Sequence, residues 1–155
     1  MDPRIVEKGA VTLVGMVSFG GDIGALWNRF EQSEKLIEHR IEGAWYELHV
    51  YPKDHTPGTP FYMVAVEVTA MEAVPEDMFV KPLPAAQYAV FTHRPGLGEP
   101  NHGYDVLNRA IQEWLEAGPY RHARNVSLQI YDARFKGMDD LDSELDLLIP
   151  VEPKG

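Results

Sequence analysis

No cysteine occurs anywhere in the 155-residue chain. Disulfide frameworks and thiolate nucleophiles are therefore excluded. No stretch approaches the roughly 18 consecutive apolar residues of a membrane-spanning helix. The opening MDPRIVEKGAVTLVGMV lacks the basic, apolar and small-residue order of a signal peptide. Both absences read as a cytoplasmic protein with no membrane partner. Basic residues are scarce: 14 Lys and Arg against 24 Asp and Glu leave a formal charge of −10. A chain built to grip phosphates needs the reverse balance, and no basic recognition helix is present. No direct contact with nucleic acid is expected.

Catalytic and cofactor motifs are missing too. GLGEPN lacks the third glycine of a dinucleotide loop, and no Walker phosphate loop occurs. GMVSFG is not a nucleophile elbow, whose serine needs glycine two residues away on both sides. The histidines at 39, 49, 55, 93, 102 and 122 show no zinc spacing. The acidic run DDLDSELD, 139–146, lacks the glycine and ligand spacing of an EF-hand. No metal and no cofactor is expected.

What is present is ordinary for a globular fold: 45% hydrophobic and 25% charged residues. The length suits one domain over 1–155. AVTLVGMVSF, 10–19, reads as a strand. Ile23, Leu26, Trp27 and Phe30 then recur at helical spacing behind Asp22, a suitable N-cap, and the stripe weakens after Phe30. WYELHVYP, 45–52, alternates: Tyr46, Leu48 and Val50 on one face, Trp45, Glu47, His49 and Tyr51 on the other. After the turn KDHTPGTP, the strand FYMVAVEVTA, 61–70, sets Val64, Val66 and Val68 against Phe61, Met63, Ala65 and Glu67. The proline-rich 71–85 reads as a connection. A strand at 86–95, a GLGEP loop and a helix over 101–119 follow. Tyr104, Leu107, Ile111, Trp114 and Leu115 stripe that helix, and Gly118 in a left-handed cap with Pro119 ends it. NVSLQIYDARF, 125–135, and SELDLLIPV, 143–151, are the last strands, joined by the FKGMDDLD turn.

The order is strand, helix, strand, strand, twice. LWNRF at 26–30 matches LNRAI at 107–111, and LHVYP at 48–52 matches LQIYD at 128–132. Pseudo-repeats of about 10–70 and 86–151 follow. The predicted fold class is α+β. Two strand-helix-strand-strand modules form one antiparallel sheet, with two helices on one face and a ligand groove between the halves. Val126, Leu128 and Ile130 are expected to face the helices. The groove, carrying Gln129 and Tyr131, is then expected on the opposite face.

YAVFTHRPG, VLNRAIQEWL, LQIYDARF and SELDLLIPV, with FYMVAVEV from the first half, resemble the GyrI-like small-molecule-binding family from about Ala10 to Val151. That family includes effector-binding domains of AraC-type and MerR-type transcription regulators and a stand-alone gyrase inhibitor. The resemblance implies a groove for small organic molecules, often hydrophobic cations. It also implies, for some members, hydrolysis of strained cyclopropane rings. In many members the strand matching SLQIYD carries a glutamate; this chain has Gln129 there. A groove tyrosine of the following strand is replaced by Leu148.

The candidate ligand-binding residues are Glu67, Gln129, Tyr131, Trp45, His49, Tyr51, Phe61, Met63 and Trp27. Glu67 is an acid among apolar and aromatic groups, suited to attract a cation. Its competing reading is a charge on the wet side of a sheet or beside an arginine. Gln129 offers a donor and an acceptor but no charge. Tyr131, Tyr51 and Trp45 are candidate aromatic walls; Tyr62 points away from Glu67 and is excluded. His49 is a candidate pH-sensitive contact, against the plainer reading of an exposed strand histidine. Trp27 sits near a helix start within reach of the groove, whereas Trp114 reads as core. The leading function is a stand-alone, cytoplasmic small-molecule-binding protein. The alternatives are a hydrolase with Glu67 as acid or base, and a protein that contacts gyrase or a regulator through its acidic surface.

Overall fold

The computed structural model describes residues 2–19, 21–53, 60–98 and 102–155. Most of the predicted turn over 53–60 and the end of the GLGEP loop lie outside the described residues. The strands are β1 (Arg4–Lys8), β2 (Val11–Phe19), β3 (Trp45–Val50), β4 (Phe61–Glu67), β5 (Phe79–Leu83), β6 (Ala86–His93), β7 (Tyr120–His122), β8 (Val126–Tyr131) and β9 (Leu145–Pro153). Helix α1 (Ile23–Ser33) follows β2, and α2 (Tyr104–Ala117) follows β6. The sheet runs β1-β6-β9-β8-β3-β4-β2-β5, with β7 added against β9 and every pair antiparallel. The fold is α+β, as the periodicity predicts.

Outward from the central β3·β8 pair, β4 and β2 on one side mirror β9 and β6 on the other. The short flanking strands are exchanged between halves. β1 precedes β2 but pairs with β6, and β5 precedes β6 but pairs with β2. Neither was legible as a strand. Each has five residues, is largely exposed, and lacks clean alternation, and β5 contains Pro82, which a sheet tolerates at its edge.

Cross-strand register settles which residues share a face. Met16, Val64, Glu47, Gln129, Leu147 and Phe91 lie opposite one another in one row across five strand boundaries. Helix α1 covers the Met16 and Val64 end with Leu26 and Phe30. Helix α2 covers the Leu147 and Phe91 end with Leu107 and Ile111. The adjacent row, Val17, Met63, Leu48, Leu128, Leu148 and Val90, faces the other way. That second face is also buried. Leu83 and Val11 from one end of the sheet and Tyr88 and Val6 from the other join Leu48 and Leu128 in a single cluster, so the sheet curls around its own core.

This corrects one expectation. Val126, Leu128 and Ile130 do not face the helices; they enter the core enclosed by the curled sheet. Gln129 and Tyr131 are on the helix-bearing face. Alternation separates two faces but cannot name them when both are covered, and Val126 to Gln129 are all buried.

Local chemistry explains the helix ends. Asp22 caps α1 by accepting from the Gly24 N–H at 2.9 Å. Beyond Phe30 the helix continues to Ser33 and tightens into a 3-10 turn over Glu34–Leu36. Helix α2 stops at Gly118, which is extended (φ −95°) rather than left-handed. Pro119 disfavours a helical conformation in the residue before it. Trp114 packs edge-on against Phe91 and stacks on Tyr120, in the core where its stripe placed it. Gly15 marks the tightest strand approach: a Cβ there would lie 1.9 Å from the Val64 carbonyl oxygen.

Candidate functional site

The two helices cover the ends of the helix-bearing face and leave its centre open. Over that centre lies a cavity of about 1210 Å³. Its floor is the central strand pair. Trp45, Glu47 and His49 of β3 and Ser127, Gln129 and Tyr131 of β8 point into it, as period-two alternation requires. Trp27 and Glu31 of α1, one helical turn apart, form one wall with Ile23. Tyr104, Asn108, Ile111, Gln112 and Leu115 form the facing wall from α2. Glu34 extends the first wall, and Phe135 and Met138, from the loop after β8, reach the rim.

Glu47 is the centre of the polar network. It is only 6% exposed. One carboxylate oxygen accepts from the Trp27 indole N–H at 2.7 Å, and the other lies 2.7 Å from His49 Nε2. A buried carboxylate needs such partners, because leaving it unpaired costs far more than the bonds themselves return. A second indole, that of Trp45, donates to Glu34, which also faces Arg40 at 3.8 Å.

Across the strand boundary Gln129 sits directly opposite Glu47. Its Oε1 accepts from the Tyr131 hydroxyl at 2.9 Å. The Tyr131 ring stands edge-on to Trp27 at 5.2 Å and to Phe135 at 4.8 Å. Burial pushes the Tyr131 phenol well above its usual pKa, and the Glu47 charge and Tyr104 push it further. Tyr104 is raised by the same causes, burial first and then Glu47. Both rings therefore stay neutral hydrogen-bonding groups near neutral pH. Tyr51, also raised by burial, lines the same cavity.

Of the sequence candidates, the fold brings Trp27, Trp45, His49, Tyr51, Gln129 and Tyr131 around this cavity. It does not bring Glu67, Phe61 or Met63 there. Met63 lies in the core within the curled sheet, and Phe61 packs against Phe19 with ring centroids 5.4 Å apart. Glu67 lies beside Tyr46 on the far face, where burial first and then the Glu67 charge raise that phenol to about 12. The physical reason is the face assignment: the Phe61, Met63, Ala65, Glu67 row shares the side of Leu48 and Leu128, not that of Glu47. Sequence reasoning missed Glu47, Glu34, Glu31, Tyr104, Asn108 and Gln112. The signal for Glu47 was present, since it alternates between Trp45 and His49 in WYELHV.

Among the described residues no group of His, Asp and Glu is placed to hold a metal ion. Among the described residues no helix is long and apolar enough to cross a membrane. The cavity joins aromatic edges and faces to a paired, buried carboxylate, groups that each attract positive charge.

Residues 4–151 match the family described as integron-associated effector binding protein. The chain is 34% identical over 157 residues to the transcriptional regulator BrlR of Pseudomonas aeruginosa; the match covers 97% of this chain and 56% of BrlR. The chain thus spans about half the length of that relative. Among solved structures, SAV2435 bound to tetraphenylphosphonium superposes with a TM-score of 0.75 at 16% identity, covering 98% of this chain and 94% of that one. The C-terminal domain of EcmrR gives 0.73 at 11% identity, covering 97% and 96%. At these identities the two structures speak to the fold.

Proposed function

The chain belongs to the integron-associated effector binding protein family, and from that premise we propose that it binds an aromatic organic cation in the cavity between α1 and α2. The observation that carries this reading is Glu47, a carboxylate 6% exposed on the floor of an aromatic-walled cavity. Trp27, Trp45, Tyr104, Tyr131 and Phe135 supply rings, and cations are attracted to ring faces and to the carboxylate together. The ligand displaces water from apolar wall and meets a charge already held in place, so little reorganisation accompanies binding. The structural likeness to SAV2435, solved with tetraphenylphosphonium, supports the same class of ligand. A cytoplasmic location and a role in sensing such compounds accompany the reading. Contact with gyrase or with a regulator has no feature of the fold in its favour beyond the acidic charge.

Thermal unfolding with tetraphenylphosphonium tests the proposal. A ligand that binds only the folded state stabilises it by about 2.7 kcal/mol at one hundred times Kd, so Tm rises with concentration. A flat Tm across tetraphenylphosphonium and a panel of aromatic cations would remove the reading.

The contact between Glu47 and His49 favours a second reading. A carboxylate 2.7 Å from an imidazole in a cavity is a proton-handling pair. A hydrolase of strained electrophiles would use that pair and not Glu67, which is on the opposite face of the sheet. Turnover of such a substrate, abolished in Glu47→Gln, would establish it; binding without turnover would leave the first reading standing.

A further inference from the structure

The cavity is built from two topologically equivalent halves, yet its chemistry is one-sided. Among the described residues, the three carboxylates that line it, Glu31, Glu34 and Glu47, come from the first half. The four side-chain amides among the described residues lining it, Asn108, Gln112, Asn125 and Gln129, come from the second. The matched stretches LWNRF and LNRAI set the helices in register. Leu26 and Leu107 are both buried, as are Phe30 and Ile111. In that register Trp27 stands where α2 has Asn108, and Glu31 where α2 has Gln112. The central strands pair Leu48 with Leu128, with Glu47 and Gln129 adjacent across the boundary. One wall therefore offers indoles and negative charge. The other offers neutral donors and acceptors above the apolar Ile111 and Leu115.

We propose that this asymmetry orients the ligand. Its cationic group lies against Glu47 and the α1 wall, and a neutral hydrogen-bonding group at the far end lies against Asn108 and Gln112 of α2. The preferred ligand class is a monocation with an aromatic body and an amide-like or hydroxyl-like opposite end. The inference rests on the reading that the cavity binds organic cations and adds its direction and its second recognition group. Asn108 and Gln112 are exposed at the cavity and spaced i, i+4, so both amides reach the same region of a ligand. A second positive charge at that end gains nothing, since no carboxylate among the described residues lines the α2 wall.

Calorimetric titration with a rigid biphenyl series tests this. The parent is 4-amidinobiphenyl; its analogues carry a 4′-carboxamide or a second, 4′-amidine. The carboxamide is expected to bind about tenfold tighter than the parent, the size of one or two net hydrogen bonds, and the bis-amidine no tighter than the parent. In Asn108→Ala/Gln112→Ala the carboxamide-to-parent ratio falls to near one. Alanine suits exposed helix positions, so this variant folds. In Glu47→Gln all three lose affinity. Equal binding of all three by the wild type, a tighter bis-amidine, or a tenfold ratio that survives in the double variant overturns the orientation. If the parent still binds and still depends on Glu47, only the orientation is lost. If none of the three amidines binds, the cation reading falls with it.

Discussion

Replacing Glu47 by glutamine removes a charge while keeping the side chain's shape. A cation whose centre comes within about 5 Å of the carboxylate, in an effective dielectric of about 20, gains about 3 kcal/mol from it. The amide dipole retains part of this, so tetraphenylphosphonium is expected to lose about 30- to 100-fold in affinity. The fold also responds. Glu47 accepts from Trp27 on one oxygen and meets His49 with the other. Glutamine has one acceptor and presents an NH₂ group to the second partner, which costs about 1–3 kcal/mol of stability. The variant should therefore melt lower than the wild type without ligand, and its Kd is read by calorimetry below that transition. Glu67→Gln is the matched control. It alters an acid on the far side of the sheet beside Tyr46, and its Kd should equal that of the wild type. Unchanged affinity in Glu47→Gln, or a larger loss in Glu67→Gln, would refute the reasoning.

Gly15→Ala places a methyl group 1.9 Å from the Val64 carbonyl oxygen and 2.6 Å from Ala65 Cα. The strands must separate, and urea denaturation should show a loss of about 1–3 kcal/mol or more. Burial first, and the charge of His102 second, lower the pKa of His93, which is 4% exposed. The folded state thus resists protonation there. Its contribution to stability is complete above the unfolded histidine value near 6.5 and is lost as pH falls through the lower folded value. His93→Gln should flatten the decline in stability as pH falls below about 6.5. Trp27 and Trp45 line the cavity whereas Trp114 packs between Phe91 and Tyr120, so a bound aromatic cation should change part of the tryptophan emission. Trp27→Phe should reduce that response.

The two modules were legible because their strands alternate and their helices carry strong apolar stripes. Leu107 and Ile111 are buried on α2 as the 3.6-residue period requires. The edge strands β1 and β5 were not legible, because pairing with the other half of the chain, rather than their own pattern, makes them strands. The face of the groove was not legible either. VSLQIY buries both of its sides, one under the helices and one inside the curl of the sheet. That ambiguity directed attention to Glu67. Its row of neighbours, Phe61, Met63 and Ala65, has the composition of a binding wall, yet the register sets it against Leu48. The six candidates that do converge, from Trp27 to Tyr131, lie on the alternating face of the central strands or one turn into α1. Glu47, the carboxylate they surround, was hidden in plain alternation between Trp45 and His49.

The central claim is that the cavity reads positive charge as well as apolar bulk. Titration of tetraphenylphosphonium against tetraphenylborate separates the two, since the ions share a shape and differ in sign. The Glu47 carboxylate, with Glu31 and Glu34 on the same wall, predicts measurable affinity for the phosphonium and none for the borate. Equal affinities, or a preference for the borate, would contradict the account.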